Sequence, residues 1–563
     1  MDAFENEIRK LLKKETDIEI QIEVPKNESL GDYAVPCFEF SKQLKKSPSV
    51  IATEISEKLS SELFEKIIPT GPYINFFINP EKLSEETLKK IEKEKEEYGK
   101  SSEGKHQKIM IEFSSPNTNK PLHLGHVRNM LIGESLSRIY EKTGHEVVRG
   151  CLVNDRGVHI CKSMLAYRRW GHHKLPDKKS DHFVGDFYVK FAKEVKEDES
   201  LDVKAQDMLR LWEAGDKETH ELWKKMNDWV YEGFDETYKS LGIKFDKIYY
   251  ESKIYEKAKE IAVESLKEGI FENDDKGNII APLKKYGFGE DKVVLRKDGT
   301  TVYITQDIYL AKKKFEDYKL DKSFYVVGSE QNLHFQQLFK ILEMIKITKI
   351  ENLKHVSYGM VNLPEGKMKS REGTVVDADD LVFEVVSLAK EEVNQRYNDL
   401  SEKEIEERSR KIGIGAIKFF ILKMDASKDM VYNPKESVSF DGETGPYVQY
   451  AYARINSIFE KGDVKKLHHK IDYSLYDDKE KQVIKKIKEY PNIVSSSMKQ
   501  FKPSLVARYL LDLSQMFNEY YHSHQILKES EELKNARLHL LDAIRIVIKD
   551  GLNLLGIDAV ERM

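Results

Sequence analysis

Apolar and polar positions change period several times along this chain, and each change marks an element. From Lys108 to Phe113 the residues are apolar and β-branched apart from the ends and Glu112, the pattern of a buried strand. After Gly125 the apolar positions Val127, Met130, Leu131, Ile139 and Tyr140 recur near helical spacing, and Gly144 supplies a stop. Val147 to Val153 is apolar again, so strand, helix and strand predict a β-α-β unit of a parallel sheet. Upstream, residues 1 to about 100 alternate helical patterns with short strands and end in a charged helix, Pro80 to Lys100, whose run Lys89 to Glu97 reads as a solvated face. Between about 180 and 245, the stretches Met208 to Ala214 and Leu222 to Tyr231 space aliphatic and aromatic residues as amphipathic helices do, so their tryptophans are expected in a core. From about 410 onward the pattern is helical almost throughout, as in Ile412 to Leu422 and Pro503 to Leu513, and predicts a bundle.

The expected architecture is therefore α/β. A small α+β domain (1–100) precedes a parallel-sheet domain (106–375) that carries a helical insertion at about 180–245, and a connecting helical segment (376–440) leads to an all-α bundle (441–563). A length of 563 residues fits this division, being too great for one core. With 40% apolar and 34% charged residues, a disordered or fibrous chain is excluded. No apolar run approaches the ~18 residues of a membrane-spanning helix. The acidic start Met1 to Glu7 lacks a signal or transit pattern, so a cytoplasmic location with no membrane partner is expected. The thiols Cys37, Cys151 and Cys161 cannot make a disulfide framework, and Cys151, His159 and Cys161 lack metal-site spacing; buried thiols and no structural metal are expected. A formal charge of −5 argues against coating nucleic acid by bulk electrostatics, although a local basic face remains compatible with RNA.

Candidate chemistry lies where the Lys108–Phe113 strand gives way to the helix, in the run Ser114-Ser115-Pro116-Asn117-Thr118-Asn119-Lys120-Pro121-Leu122-His123-Leu124-Gly125-His126. Backbone N–H groups at a helix N-terminus favour anions, Gly125 permits close approach, and imidazoles add donors, which together suit the phosphates of ATP. Two histidines at the start of a helix are also compatible with satisfied surface residues. A second motif decides between these. Gly366-Lys367-Met368-Lys369-Ser370-Arg371-Glu372-Gly373 is a glycine-bounded basic loop that would by itself be most often a solvated turn. In this order and spacing the pair resembles the histidine motif and lysine loop with which class I aminoacyl-tRNA synthetases clamp ATP.

Flanking residues narrow the resemblance to the arginyl-tRNA synthetase family over essentially the whole chain. They include the Ser-Pro-Asn-x-x-Lys-Pro-x-His-x-Gly-His form of the first motif, Tyr303 to Asp307, Gln331 to Phe335, Gly445 to Arg454, Leu541 to Gly556, and Gly31 to Tyr33 with Gly71 to Phe76. The resemblance implies a Rossmann-type catalytic domain, an N-terminal domain that contacts tRNA, and an anticodon-binding bundle. It implies ATP-dependent ligation of L-arginine to its cognate tRNA through an arginyl-adenylate, with Mg2+ accompanying ATP, no DNA partner and a monomeric enzyme. Family members generally need bound tRNA before they activate the amino acid.

The same resemblance assigns catalysis to Lys120, His123, His126 and Lys367, and ATP binding to His123, Gly125, His126, Lys367, Met368 and Lys369. It assigns arginine binding to Ser115, Pro116, Asn117, His126, Tyr303, Asp307 and Gln331. The general class loop reads Lys-Met-Ser-Lys-Ser, so this chain has Ser370 where the second lysine stands. Many arginyl enzymes share that absence and are thought to compensate with the lysine before the histidine motif, here Lys120, although Lys369 or Arg371 offers an alternative. Asp307 is the natural guanidinium partner, with Tyr303 walling the site; Glu112 is either a second carboxylate or a strand-end structural residue. Tyr447, Gln449, Tyr450 and Arg454 combine aromatic faces with donors at helical spacing, as stacking on splayed anticodon bases requires, while at least one tyrosine is expected to pack the bundle.

Competing readings are weaker. Small nucleotidyltransferases that make nucleotide cofactors share the histidine motif but lack the helical C-terminal domain. A non-catalytic paralogue would not keep Lys120, His123, His126, Lys367 and Asp307 together. A glutamyl enzyme would need a cationic pocket and a cysteinyl enzyme a thiolate-zinc site, and neither pattern is present.

Overall fold

The computed structural model describes residues 3–15, 20–362, 376–397, 400–464, 466–467 and 470–563. At the N-terminus the helix Ala3–Lys13 packs Phe4, Ile8 and Leu12 against a three-stranded antiparallel sheet of β1 (Tyr33–Pro36), β2 (Phe64–Thr70) and β3 (Tyr73–Ile78) in the order β1-β3-β2. Gly31 turns into β1 with φ of +93°, and a Cβ there would meet the Phe76 carbonyl oxygen at 2.8 Å, so only glycine fits. The helix Pro80–Glu94, capped by Asn79 with proline at its first position, leads out of this domain and packs on the C-terminal bundle through the helix Asp478–Lys488.

The central sheet is parallel. Its strands β4 (Lys108–Glu112), β5 (Glu146–Val153) and β6 (Lys247–Tyr250) are joined by β10 (Lys322–Gly328) and β11 (Leu353–Tyr358) in the order β11-β10-β4-β5-β6. From β4 the chain builds outward to β5 and β6, then returns on the other side to β10. The order therefore reverses between β4 and β10, and a crevice opens at their carboxyl ends, where ligands of open α/β sheets bind. A small antiparallel sheet, β7 (Glu272–Asn273), β8 (Ile279–Ala281) and β9 (Lys292–Leu295), lies between the helices Glu251–Lys267 and Tyr303–Tyr318. β12 (Val361–Asn362) pairs in parallel with β13 (Met430–Val431), so the segment 376–440, expected as a connection only, returns a strand to this unit.

The insertion at about 180–245 is three helices, Ser180–Glu194, Ser200–Glu213 and Lys217–Leu241, packed against the preceding helix Val158–Trp170. Trp212 is buried and Trp223 and Trp229 pack against the core, as their spacing predicts, and Trp170 of the neighbouring helix packs there too. Cys37, Cys151 and Cys161 are buried free thiols. The helices Ala378–Arg396 and Glu402–Leu422 then lead to the bundle of Gly445–Lys461, Asp478–Lys488, Tyr490–Gln500, Ser504–Ser523 and Glu531–Leu554. Bundle and catalytic unit share one continuous apolar core, and polar bonds fasten the seam: Ser135 Oγ donates to the Leu554 carbonyl at 2.8 Å, and Lys142 pairs with Asp550 at 2.9 Å. No helix among the described residues is long and apolar enough to cross a membrane.

Candidate functional site

Immediately after β4 the backbone takes two consecutive left-handed residues, Ser114 (φ 74°) and Ser115 (φ 46°). Each costs on the order of 1–3 kcal/mol for a non-glycine residue, so neighbouring groups must hold the turn. They do so from both flanks. Asn129, one turn into the next helix, accepts from the Ser114 N–H at 2.5 Å while its amide donates to the Val326 carbonyl of β10 at 2.7 Å. Asn154, just past β5, donates from Nδ2 to the Ser115 carbonyl at 3.2 Å and from its backbone N–H to the Pro116 carbonyl at 2.9 Å. Pro116 is thereby buried, Ser115 half-buried, and Asn117 exposed beyond the strand end.

The helix Leu124–Lys142 follows with a reciprocal histidine cap. His123 is the N-cap, and its Nδ1 accepts the Gly125 N–H at 3.1 Å, while His126 Nδ1 accepts the His123 N–H at 3.1 Å. The rings lie 3.9 Å apart between centroids. Because each Nδ1 is an acceptor, the network assigns the proton of each neutral ring to Nε2, which is left as a donor. Burial, then the charge of Lys120, push His123 down to about 4 against the opposing pull of Asp377. His126 is driven well below the usual imidazole range by burial, with His123 and Lys120 adding to it. Both rings are therefore neutral donors at pH 7. Because the Leu124, Gly125, His126 and Val127 N–H groups are already bonded, to the Val376 carbonyl, His123 Nδ1 and the His123 carbonyl, positive potential at this helix end comes from Lys120 and the helix dipole.

Across the crevice, Tyr303 begins the helix Tyr303–Tyr318 and is 78% exposed, with the half-buried Asp307 one turn later on the same face. His334 Nε2 bonds Asp307 Oδ2 at 2.6 Å, and Gln331 stands exposed at the start of His334's helix. Three partners here escaped the sequence reading. His334 orients Asp307. Lys314, fully buried two turns along the Asp307 helix, forms an ion pair with Glu112 and lies 4.5 Å from the Tyr325 ring centroid, which gives Glu112 the structural role at its strand end. Glu251, buried where β6 ends, has its carboxyl raised to about 7 by burial, with Arg156 and the Gln306 hydrogen bond opposing and the charges of Asp155 and Asp307 assisting. Only its position at the carboxyl end of a sheet strand hinted at it, since a Tyr-Tyr-Glu-Ser run carries no periodic signal.

On the bundle, Arg454 donates to Asn518 Oδ1 at 2.8 Å and lies between two rings, 4.6 Å from the Tyr450 centroid and 5.1 Å from that of Tyr521. Tyr450, Arg454 and Tyr521 line a groove of about 1030 Å3 with Arg408, Arg562 and Met563. Tyr447 is half-buried against the apolar core. Gln449 corrects the expectation of a surface contact: it is fully buried, donates to the Asp558 carbonyl at 2.8 Å, and packs where Gly415 leaves room, so it ties the C-terminal tail to the bundle. Lys367, Met368 and Lys369 lie outside the described residues. Among the described residues Asp181, His182 and Asp379 bring metal-ligand atoms within 4.8 Å of one another, but Lys179 Nζ bonds both carboxylates, at 3.0 and 2.8 Å, which makes the group an ion network.

Comparison with known proteins places all three units. Residues 87–433 match the catalytic domain of class I tRNA synthetases (R), residues 448–563 the DALR anticodon binding domain, and residues 1–78 the arginyl tRNA synthetase N-terminal domain. The arginine–tRNA ligase of Parabacteroides distasonis is 45% identical over 580 aligned positions, covering 97% of this chain and 96% of the relative. That of Borrelia hermsii is 42% identical, covering 100% and 98%. Among solved structures, the arginyl-tRNA synthetase of Thermus thermophilus superposes with a TM-score of 0.84 at 26% identity, over 100% of this chain and 99% of that one.

Proposed function

The chain belongs to the arginyl-tRNA synthetase family, and on that footing we propose which of its side chains carry each step of the reaction. It ligates L-arginine to its cognate tRNA with ATP, through arginyl-adenylate. In the first half the arginine carboxylate attacks the α-phosphorus and pyrophosphate leaves; in the second a ribose hydroxyl of the tRNA end attacks the acyl carbon and AMP leaves. No nucleophilic side chain is needed, so catalysis rests on positioning and on stabilising charge that develops on phosphate oxygens.

The observation that carries this reading is the reciprocal histidine cap. It leaves two neutral Nε2–H donors at a helix N-terminus in the crevice where the strand order reverses. His123 and His126 donate to the phosphates, Gly125 allows their approach, and Lys120 supplies the cation that Ser370 cannot. Lys367, with Met368 and Lys369, covers the pyrophosphate, and magnesium accompanying ATP would help neutralise the charge that develops on it. Arginine lies along the turn Ser115, Pro116 and Asn117 with His126 at its reacting end. Its guanidinium meets Asp307, which His334 orients, between Tyr303 and Gln331, with Glu251 as a further carboxylate.

Arginine-dependent ATP–pyrophosphate exchange, measured with and without tRNA, tests the assignment. The expected result is near-background exchange until cognate tRNA is added. Lys120→Ala should abolish the stimulated rate, and lysine installed at Ser370 in that variant should restore part of it. Full exchange without tRNA would remove the coupling, and an active Lys120→Ala enzyme would move the compensating charge to Lys369 or Arg371.

For tRNA, Tyr450 and Arg454 with Tyr521 form the stacking wall of the bundle groove, and Tyr447, on the same helix and half-buried against the apolar core, is the packing tyrosine. Arg454→Ala is expected to weaken tRNA binding and lower the slope of log affinity against log salt by about one phosphate contact, leaving arginine and ATP constants unchanged. Filter binding at several salt concentrations measures both. A wild-type slope would make Arg454 a packing residue.

A further inference from the structure

Beside the histidine motif lies a negative charge that a triphosphate site should not tolerate. Residues 376–378 run antiparallel to the motif, with His123 opposite Asp377: the Leu124 N–H donates to the Val376 carbonyl at 3.0 Å and the Ala378 N–H to the Leu122 carbonyl at 2.9 Å. Asp377 also caps the helix Ala378–Arg396, accepting the Asp379 N–H at 2.8 Å. Its carboxylate is close enough to His123 to act on that ring's protonation. Left unpaired there, it would repel ATP, because like charges in a partly buried site interact strongly.

The insertion provides the compensation. His182, on the helix Ser180–Glu194, places Nε2 3.4 Å from Asp377 Oδ1 and 3.0 Å from Asp379 Oδ2. Lys179 Nζ bonds Asp379 at 2.8 Å, Asp181 at 3.0 Å and Thr237 Oγ1 at 2.7 Å, so the second carboxylate has its own cation. The hydrogen bonds to Asp377 and Asp379 lift His182 to about 10 against burial, so the ring is an imidazolium at neutral pH. Asp379, despite burial that opposes ionisation, is held below the usual carboxylate range by His182 and Lys179.

We propose that His182 is a positioning residue of the ATP site: its ion pair with Asp377 neutralises the carboxylate next to His123 and fixes the segment that pairs with the histidine motif. This rests on the reading that His123 and His126 bind the triphosphate. A helix that lies outside the crevice thereby sets the electrostatic potential that ATP meets.

The test is tRNA-stimulated exchange with His182→Gln, Asp377→Asn and the double variant, each with its melting temperature. Gln keeps a hydrogen-bond donor without the charge, and Asn keeps the helix cap without the charge. His182→Gln is expected to raise the Michaelis constant for ATP about tenfold, the loss of roughly one favourable charge contact, with that for arginine unchanged. The double variant should return the ATP constant to within about threefold of wild type, since the uncompensated carboxylate is gone. Asp377→Asn alone should leave it at or below wild type, and this variant decides the matter if His182→Gln does not fold. An unchanged ATP constant in His182→Gln, a double variant as impaired as the single with a lowered melting temperature, or a tenfold rise in Asp377→Asn alone would each overturn the proposal. A His123→Asn enzyme with wild-type exchange would instead overturn the phosphate reading on which it rests.

Discussion

A His123→Asn enzyme is expected to fold and melt nearly as the parent does while losing about 10²–10³-fold in the rate of ATP–pyrophosphate exchange. Two atoms of the ring have separate jobs. Nδ1 caps the helix by accepting the Gly125 N–H, and Nε2 presents the outward donor. The Asn side-chain oxygen takes the place of Nδ1, so the cap survives, whereas nothing takes the place of Nε2–H. Alanine at the same position removes both functions and should in addition cost about 0.5–2 kcal/mol of stability, as loss of an N-cap does. The same pair at His126, whose Nδ1 accepts the His123 N–H, should repeat the pattern. Thermal melting and exchange kinetics of the four variants measure the separation. An asparagine variant with full exchange would show that the rings only cap the helix.

Asp307→Asn is expected to raise the Michaelis constant for arginine about ten- to a hundredfold and leave that for ATP nearly unchanged, because a charge-assisted pair contributes about 1.5–3 kcal/mol. The amide still bonds His334, so the site keeps its shape and loses only its charge. An unaltered arginine constant would take Asp307 out of the pocket. Glu251 adds a pH signature. Burial, aided by the neighbouring carboxylates, places its carboxyl near 7, so at pH 6 most molecules carry it protonated. A bound guanidinium favours the ionised form, and arginine binding must then release a proton. The arginine constant should accordingly fall as pH rises from 6 to 8, by at most about tenfold per unit, and level off above the pKa. Glu251→Gln should flatten that profile; a variant that keeps the wild-type slope would assign the titration elsewhere.

How far such a site can be read before folding depends on the range over which its parts act. The β-α-β unit, the histidines at a helix start, and the amphipathic insertion with its core tryptophans are written in periods of two or about 3.6 residues, and the structure returns them within a few positions. Motif order and spacing likewise carried the family and the Tyr303–Asp307 face, because both residues sit one turn apart on one helix. Periodicity could not say that Gln449, polar and beside two tyrosines, turns inward to the Asp558 carbonyl, 109 residues away. Nor could it show that Lys314 engages Glu112, that Asn129 and Asn154 hold two strained serines from opposite flanks, or that His182 of the insertion reaches Asp377 beside His123. Most of those pairings join elements far apart in the chain, and a buried polar group takes whichever partner the packed sheet and helices bring within hydrogen-bond reach. Local periodicity therefore determined the elements, and motif order the histidine motif to which phosphate binding is assigned, while the tertiary structure decided which charges neutralise one another, since that depends on distances between elements that only the packed fold brings together.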